Sequence, residues 1–398
     1  MSAPGGDLLV RRIGRLLTMA GPPVESAAVV VRNGRVAWTG RERDLPADVG
    51  ELPSLDAAGA AVVPGFVDPH THLVWAGSRR EEFQARLAGE RYDGGGIGVT
   101  VAATRAASDQ ELVRRTVGRA RAALANGTTT MEIKTGYGLA AEEELRLLDV
   151  IAAVGEQVPV RIEPTYLGAH AVPADVERAD YVAEVIETLP AARRRGARWC
   201  DVFCDRGAFT VEEARRILGA ARAAGLGLRL HADQLAQIGA TPLAAATGCA
   251  SADHLDRVGP AGARALAAAG TVGVLVPTAT LSTRSGDWGQ AAILAEAGVT
   301  IALATDCNPG TSWCESMPYV LSLACLGLGM RVEAAVRAAT RGGAAALRRE
   351  DVGHLGVGAY GDLAVLEATH EADLVAHLGA PAVRRTVAGG VPVETPAA

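Results

Sequence analysis

The chain alternates between short apolar runs and longer segments in which apolar residues recur with the spacing of an amphipathic helix. The helical spacing is clear in 109–127 and 210–225, and each segment ends at a glycine, which is typical of a helix C-terminus. Alternating strands and helices predict a parallel sheet with crossover helices. The eight predicted strands end near His72, Lys134, His170, Cys204, His231, His254, Thr278 and Asp306.

Eight such units predict an α/β fold, a (β/α)8 TIM-like barrel over residues 68–355. An open, doubly wound sheet is the alternative that the same pattern allows. Residues 1–67 and 356–398 instead contain short strands with tight turns at Asn33-Gly34 and Gly389-Gly390. We therefore predict that both chain ends form a small composite β domain, a β-sandwich, beside the barrel.

Composition narrows the class of protein. The formal net charge of -6 comes without a basic stripe, which argues against nucleic acid as a partner. The sequence shows neither a signal peptide nor an apolar run of membrane-spanning length, so we predict a cytoplasmic protein with no membrane partner. The six cysteines form no CxxC pair and are interpreted as free thiols. The glycine-rich stretch 92–100 lacks a phosphate-loop pattern and is interpreted as a flexible loop over the barrel mouth.

Five of the eight histidines lie at the ends of predicted strands, where (β/α)8 barrels carry their active sites. His70 and His72 are two residues apart and so share one face of a strand, which lets both point at one ion. The plainer interpretation is two histidines with separate hydrogen bonds. Asp306 is the candidate carboxylate or, alternatively, the cap of a turn. The pattern favours a hydrolytic site with a divalent metal and an open position for water.

Several motifs resemble those of the amidohydrolase superfamily: DPHTH at 68–72, HADQ at 231–234, DHL at 253–255 and ATDCNPGT at 304–311. More narrowly, HLVWAGSR, EIKTGYGL, TYLGAHAVP, HADQL, ADHLD and TDCNPGTS follow one another in an order that resembles the imidazolonepropionases of histidine degradation. The resemblance covers essentially the whole chain. It implies a hydrolase that opens the cyclic amide of a small-molecule substrate, 4-imidazolone-5-propanoate, to give N-formimidoyl-L-glutamate.

The resemblance also implies roles for particular residues, and a homodimer. One divalent metal ion, zinc or iron, is implied at His70, His72, His231 and Asp306. His254 is implied to assist at the substrate carbonyl, and Asp306 to handle the proton. Gln234 is an amide and cannot take up a proton, so the general base is left open between Asp306 and His254. Substrate contacts are implied for Arg79, Tyr137, His170, Gln234, Asn308, Gly310 and Thr311.

Two alternatives stay open at this point. One is another amidohydrolase, such as a formimidoylglutamate deiminase or a guanine deaminase, and the other is a metal-free scaffold protein. The guanidinium of Arg79 suits the propionate of the imidazolone substrate, whereas a purine has no carboxylate to offer it.

Lys134 is the only lysine in the chain. In this superfamily, a carbamylated lysine that bridges two metal ions comes from the fourth strand, and the fourth predicted strand here, DVFCDRG, has no lysine. We therefore predict a single metal ion. Glu132 and Lys134 share one face of their strand, which predicts an interior ion pair.

Overall fold

The computed structural model describes residues 5–49, 51–90, 96–284 and 288–393. Within these ranges the strands form two sheets of eight, one parallel and the other mostly antiparallel. None of the helices described there has the length and apolar character needed to cross a membrane.

The strands are given in chain order. They are β1 (Leu8–Leu16), β2 (Val24–Arg32), β3 (Arg35–Arg41), β4 (Ser54–Asp56), β5 (Ala61–Pro64), β6 (Phe66–Asp68), β7 (Thr128–Lys134), β8 (Arg161–Ala169), β9 (Trp199–Cys204), β10 (Gly227–Ala232), β11 (Ser251–His254), β12 (Val272–Leu275), β13 (Ile301–Leu303), β14 (Leu363–Leu366), β15 (Val383–Ala388) and β16 (Val391–Pro392).

The helices follow the same order, with two short 3-10 turns at Glu42–Asp44 and Ala47–Val49 and a π-helical turn at Ala338–Gly342. They are α1 (Arg80–Leu87), α2 (Ile97–Ala106), α3 (Asp109–Ala125), α4 (Ala141–Gly155), α5 (Arg178–Arg194), α6 (Val211–Ala223), α7 (Ala240–Ala246), α8 (Pro260–Ala269), α9 (Pro277–Thr283), α10 (Gln290–Glu296), α11 (Met317–Leu326), α12 (Val332–Arg337), α13 (Gly343–Ala346) and α14 (Asp373–Ala376).

The parallel sheet is the barrel. Its strands, β6 to β13, lie side by side in chain order. The first and last strands meet beyond their regular ends, where the backbone N–H of Asp306 donates to the carbonyl of His70 and that of His72 donates to the carbonyl of Cys307, both at 3.0 Å. The predicted (β/α)8 barrel is therefore confirmed, and the open doubly wound sheet is wrong.

The second sheet contains strands from both chain ends, as predicted. Its order is β16-β15-β14-β5-β1-β2-β3, and β4 pairs with β1. The turn at Asn33-Gly34 joins β2 to β3 with positive φ at both residues, 50° and 75°, as a tight hairpin turn requires. Gly389-Gly390 joins β15 to β16 in the same way. The domain limits at 67/68 and 355/356 stay predictions.

Two predicted helices begin where the sequence places polar caps. Ser108 accepts a hydrogen bond from the backbone of Glu111 at the start of α3. Thr210 and Glu213 form a capping box at the start of α6. Because the apolar faces of such helices pack on the barrel, one hydrophobic core joins helices and strands.

Three predicted strand ends and one predicted loop differ from the structure. The first barrel strand ends at Asp68 and the last at Leu303, before the predicted ends at His72 and Asp306. The seventh barrel strand ends at Leu275, and Thr278 lies in α9, because Pro277 occupies the first helical position and stops the strand. The stretch 92–100 was expected to be a loop over the barrel mouth, and its residues 92–95 lie outside the described residues. Its last four residues begin the helix α2, and Ile97 and Gly98 line the cavity at the barrel mouth.

Candidate active site

A cavity of about 500 Å³ opens at the C-terminal ends of the barrel strands. Pockets of this size hold small molecules, and this end of a (β/α)8 barrel is where active sites lie. Ten of the twelve predicted site residues line it: His72, Arg79, Tyr137, His170, His231, Gln234, His254, Asp306, Asn308 and Thr311. His70 lies beneath the floor of the cavity, fully buried, and Gly310 lies behind Arg79.

Three imidazoles and one carboxylate converge at the floor. The Nε2 atoms of His70 and His72 are 3.3 Å apart, and that of His231 is 3.4 Å from that of His72. Asp306 Oδ1 lies 3.5 Å from Nε2 of both His70 and His72. The pairing of segments 70–72 and 305–307 that closes the barrel also brings these groups together.

The carboxylates that lie behind two of the rings fix what the front nitrogens offer. Nδ1 of His70 lies 2.6 Å from Asp253 Oδ2, and Nδ1 of His231 lies 2.9 Å from Asp201 Oδ2. A carboxylate only accepts, so each Nδ1 carries the hydrogen and each Nε2 presents a lone pair. Burial lowers the pKa of His70 and His72, which keeps these rings neutral.

Lone pairs that face one another repel unless a cation lies between them. Ligands bound tetrahedrally at about 2.0 to 2.1 Å lie about 3.3 to 3.4 Å apart, which matches the separations between the imidazole nitrogens. Imidazole nitrogen and carboxylate oxygen are the donors that divalent first-row metals take in proteins. The residues present therefore fit a divalent metal ion.

His254 lies at the end of β11, beside this group. Its ring centroid is 5.2 Å from that of His70 and 5.1 Å from that of His231. The backbone turns sharply here, with positive φ at both His254 (76°) and Leu255 (60°). Burial lowers the pKa of His254, so its ring is neutral at pH 7. The position at the cavity wall is suited to a hydrogen bond with a bound molecule.

Tyr137 and His170 form an aromatic wall above the floor. The ring of His170 stacks on His72, with centroids 5.0 Å apart and planes at 21°. Tyr137 lies 5.4 Å from His170. Burial lowers the pKa of His170 to about 3, and its Nδ1 lies 2.8 Å from the carbonyl of Gly136. The wall is thus uncharged and fits a flat, uncharged ring.

Arg79 supplies a buried guanidinium on the other side of the cavity. Its Nε and Nη2 donate to Glu82 Oε2 at 2.9 and 2.6 Å. A Cβ on Gly310 would lie 2.3 Å from Arg79 Nη1, so a larger residue here would displace this guanidinium. Gly310 therefore contributes space, which explains its presence beside the cavity.

Asn308 and Thr311 shape the loop that carries Gly310. Asn308 Oδ1 accepts from the backbone of Gly310 and of Thr311, both at 2.8 Å, and its Nδ2 donates to the carbonyl of Asp306 at 2.6 Å. The Asn308 amide is thus engaged within its own loop while one side of it lines the cavity. Its hydrogen bonds hold the backbone next to Asp306.

The predicted ion pair of Lys134 with Glu132 is confirmed, with Nζ and Oε1 2.7 Å apart. Sequence reasoning missed that Asp201 lies equally close to the ammonium, at 2.7 Å, and that Asp253 lies behind His70. Asp201 is an acid inside the mostly apolar strand β9, and Asp253 directly precedes His254 in β11; these positions are the sequence signals that could have revealed them. A buried acid needs a partner, and here the partners are site residues.

The family model that matches this chain is that of the amidohydrolase family, over residues 61–393. The chain belongs to the amidohydrolase family. Among curated amidohydrolase relatives, the imidazolonepropionase of Salinispora arenicola is 51% identical, with 97% of this chain and 98% of that protein covered. The imidazolonepropionase of Myxococcus xanthus is 46% identical, with 96% of each covered.

Solved structures share the fold at lower identity. A. niger ochratoxinase superposes with a TM-score of 0.76 at 19% identity, covering 99% of this chain and 97% of that one. An adenosine deaminase from Xanthomonas campestris, solved with bound zinc, gives 0.74 at 20% identity, covering 98% and 93%. The family and the His/Asp group at the cavity floor agree on a divalent metal.

Proposed function

We propose that this amidohydrolase opens the ring of 4-imidazolone-5-propanoate with water to give N-formimidoyl-L-glutamate, as in histidine degradation. Relatives that cover nearly the whole chain at 45% to 51% identity are imidazolonepropionases. The observation that carries the proposal is the convergence of three imidazole Nε2 atoms and the Asp306 carboxylate in a cavity that Arg79 also lines.

In this proposal His70, His72, His231 and Asp306 hold one divalent ion, zinc or iron. The bound ion supplies Lewis acidity, which lowers the pKa of water to about 7 in favourable zinc sites. An ion held by these four ligands would take water or substrate as a fifth ligand, an expansion that catalytic zinc sites make. Zinc and iron both accept three imidazoles and a carboxylate, so the choice between them follows the metal supply.

Arg79 would hold the substrate propionate through a charge-assisted pair. The flat ring would lie against His170 and Tyr137, which offer an uncharged wall. Gln234 would orient the ring by donating or accepting a hydrogen bond, and the loop at Asn308, Gly310 and Thr311 would close the far side. With these contacts, the ring carbonyl would point toward the floor of the cavity.

Two groups would then handle charge and proton. His254 would donate a hydrogen bond to the carbonyl oxygen as negative charge develops there. Asp306 would accept a proton from the attacking water and return it to the ring nitrogen when the C–N bond breaks. One C–O bond forms, one C–N bond is lost, and the nitrogen gains the proton that water gave up.

The test supplies freshly prepared 4-imidazolone-5-propanoate to metal-analysed protein and follows the loss of its ultraviolet absorbance against a protein-free control. We expect rapid loss, with formimidoylglutamate appearing in mass spectra, and no activity after chelation until zinc or iron is restored. Guanine and N-formimidoyl-L-glutamate serve as comparison substrates. Faster turnover of either one, or a purified protein that binds no metal, would contradict the proposal.

We also propose a homodimer. Large apolar side chains are exposed on α1, α9 and α11 and on the loop before α11, and Arg86 of α1 contacts Ser282 of α9 at 3.2 Å, so these helices are adjacent. The exposed residues are Phe83, Leu87, Leu281, Trp313, Tyr319 and Leu326. Light scattering should give twice the chain mass, and Leu326→Glu should shift the mass toward the monomer.

The cytoplasmic location stays a prediction.

A further inference from the structure

A layer of buried charged side chains lies beneath the histidines. It contains three acids and two bases, and each side chain is fully buried: Glu132, Lys134, Asp201, Arg229 and Asp253. Replacing buried ion pairs by apolar residues is often neutral or stabilising, so stability alone is a weak reason for such a layer. The contacts of this layer with the histidines of the site give a better reason for its presence.

We propose that Asp253 and Asp201 are positioning residues that set the tautomer and direction of His70 and His231, so that both Nε2 lone pairs meet at the metal position. This inference rests on the metal ligands of the proposed function. Asp253 Oδ2 lies 2.6 Å from His70 Nδ1, and Asp201 Oδ2 lies 2.9 Å from His231 Nδ1. Both carboxylates lie on the side of the ring away from the cavity.

The same two carboxylates are themselves fixed from below. Arg229 Nη2 donates to Asp253 Oδ2 at 3.0 Å, and it also donates to the carbonyl of Pro69 at 2.6 Å, next to His70. Lys134 Nζ lies 2.7 Å from Asp201 Oδ2. Each carboxylate thus lies between a cation and an imidazole, a geometry that leaves it one orientation.

Asp201 also holds the backbone of the residue it orients. Its Oδ1 accepts from the backbone N–H of His231 at 3.2 Å, while its Oδ2 faces the ring of the same residue. The strand position and the ring direction of His231 are therefore tied to one carboxylate. A carboxylate that lies behind a ligating imidazole raises the basicity of that imidazole as well as orienting it.

The experiment uses the full chain reconstituted with zinc(II), and separately with cobalt(II). Asp253→Asn and Asp201→Asn keep the shape of each side chain and remove its charge. We expect zinc(II) affinity, measured by chelator competition, to fall about 10- to 100-fold in each variant, as is typical for loss of such a contact. The visible absorption bands of the cobalt(II) protein should also change, since they report ligand orientation.

Asp362→Asn is the matched control. Asp362 is equally buried and pairs with Arg161, at the start of β8 and so at the opposite end of the barrel strands from the histidines. Its zinc(II) affinity and cobalt(II) spectrum should stay those of the wild type. A loss of affinity as large as in the other two variants would mean that any buried carboxylate matters equally, and would overturn the inference.

Wild-type affinity and spectrum in a folded Asp253→Asn protein would also overturn it. If that variant does not fold, Asp201→Asn decides by the same two measurements. Because metal affinity is read without substrate, the outcome is separate from the proposed reaction. A wild-type protein that binds zinc(II) but leaves 4-imidazolone-5-propanoate intact would overturn the function and leave the positioning role standing.

Discussion

The two ends of the barrel strands use buried charge in opposite ways. At the N-terminal end, donors meet acceptors: Glu163 accepts from Arg198 at 2.9 Å and from Arg349 at 2.6 Å, and Asp362 pairs with Arg161. At the C-terminal end, above the paired charges of Lys134 and Arg229, potential metal ligands converge: His70 Nε2 lies 3.3 Å from Nε2 of His72 and 3.5 Å from Asp306 Oδ1.

The difference separates groups that serve the fold from groups that serve a ligand. The ion pairs at the N-terminal end join β8 to the residue before β9 and to the segment that leads into β14, and each pairs a cation with an acid of the protein. The group of histidines and Asp306 at the C-terminal end is complete only with a cation from outside the chain. Burial alone therefore does not identify a functional site, because both ends are buried. A buried group of ligand atoms that needs a cation from outside the protein does identify one.

The largest expected effect comes from exchanging one buried carboxylate at each end. Asp306→Asn should lower kcat by about a thousandfold or more, because the amide binds metal weakly and takes no proton. Asp362→Asn should leave kcat unchanged and lower the free energy of unfolding by about 3 kcal/mol, since Arg161 loses its buried partner. Steady-state kinetics and urea unfolding of both variants check this. Equal losses of kcat would contradict the assignment of Asp306 to the site and of Asp362 to the fold.

His254→Ala tests whether the cavity wall acts separately from the floor. We expect kcat to fall at least about 100-fold, the usual loss when one oxyanion contact is removed, while metal content stays that of the wild type. Kinetics with parallel metal analysis separate the two effects. Unchanged turnover would remove His254 from the mechanism, and loss of metal would make it a ligand.

Arg79→Gln tests whether one buried arginine binds the substrate. The KM for 4-imidazolone-5-propanoate should rise about 10- to 100-fold, since a charge-assisted hydrogen bond contributes about 1.5 to 3 kcal/mol. Metal content should not change. The control is Arg178→Gln: Arg178 also lines the cavity and is also paired with an acid, but its side chain is 45% exposed against 4% for Arg79, so the KM of this variant should change little. Equal effects would indicate general attraction of an anion.

The smallest effect concerns an ion pair on the terminal sheet. Burial opposes ionisation of Glu371, but two hydrogen bonds from Arg15, at 2.7 and 3.0 Å, outweigh it and lower the pKa of Glu371 below 4.5. A carboxyl whose pKa is lower in the folded state contributes stability above its unfolded pKa, and loses it as pH falls through the folded value.

Arg15→Gln should therefore cost about 1 kcal/mol near pH 7, and the difference from wild type should shrink toward about pH 3. Urea unfolding across this pH range gives the measurement. Arg12→Gln is the control, because Arg12 and Asp56 are both more than half exposed. A difference that persists at low pH would assign the stability to Arg15 packing and not to its charge.

Much of the architecture could be predicted because local patterns decide it. The strand ends at Lys134, Cys204 and His254 follow from apolar runs, and the hairpin at Asn33-Gly34 follows from turn chemistry. The predicted strand end at Thr278 was wrong because one proline mattered more than the continued apolar run. Element boundaries depend on single residues in this way.

The site was predictable as a set of residues and not as a set of contacts. The i, i+2 spacing places His70 and His72 on one face, but nothing local tells that Asp253, 183 positions away, lies behind His70. Likewise, the engagement of Asn308 with its own loop depends on how residues 308–311 turn. Partners that are distant in sequence follow from the closed barrel, which a periodicity describes only in outline.

Lys134 has one more consequence, for the chemistry of the protein in the test tube. It is the chain's only lysine, and its side chain is fully buried between Glu132 and Asp201. Amine-directed reagents should therefore leave Lys134 of the native protein unmodified. Reaction at Lys134 requires the barrel interior to open. The rate at which Lys134 is labelled therefore measures unfolding at one site under native conditions.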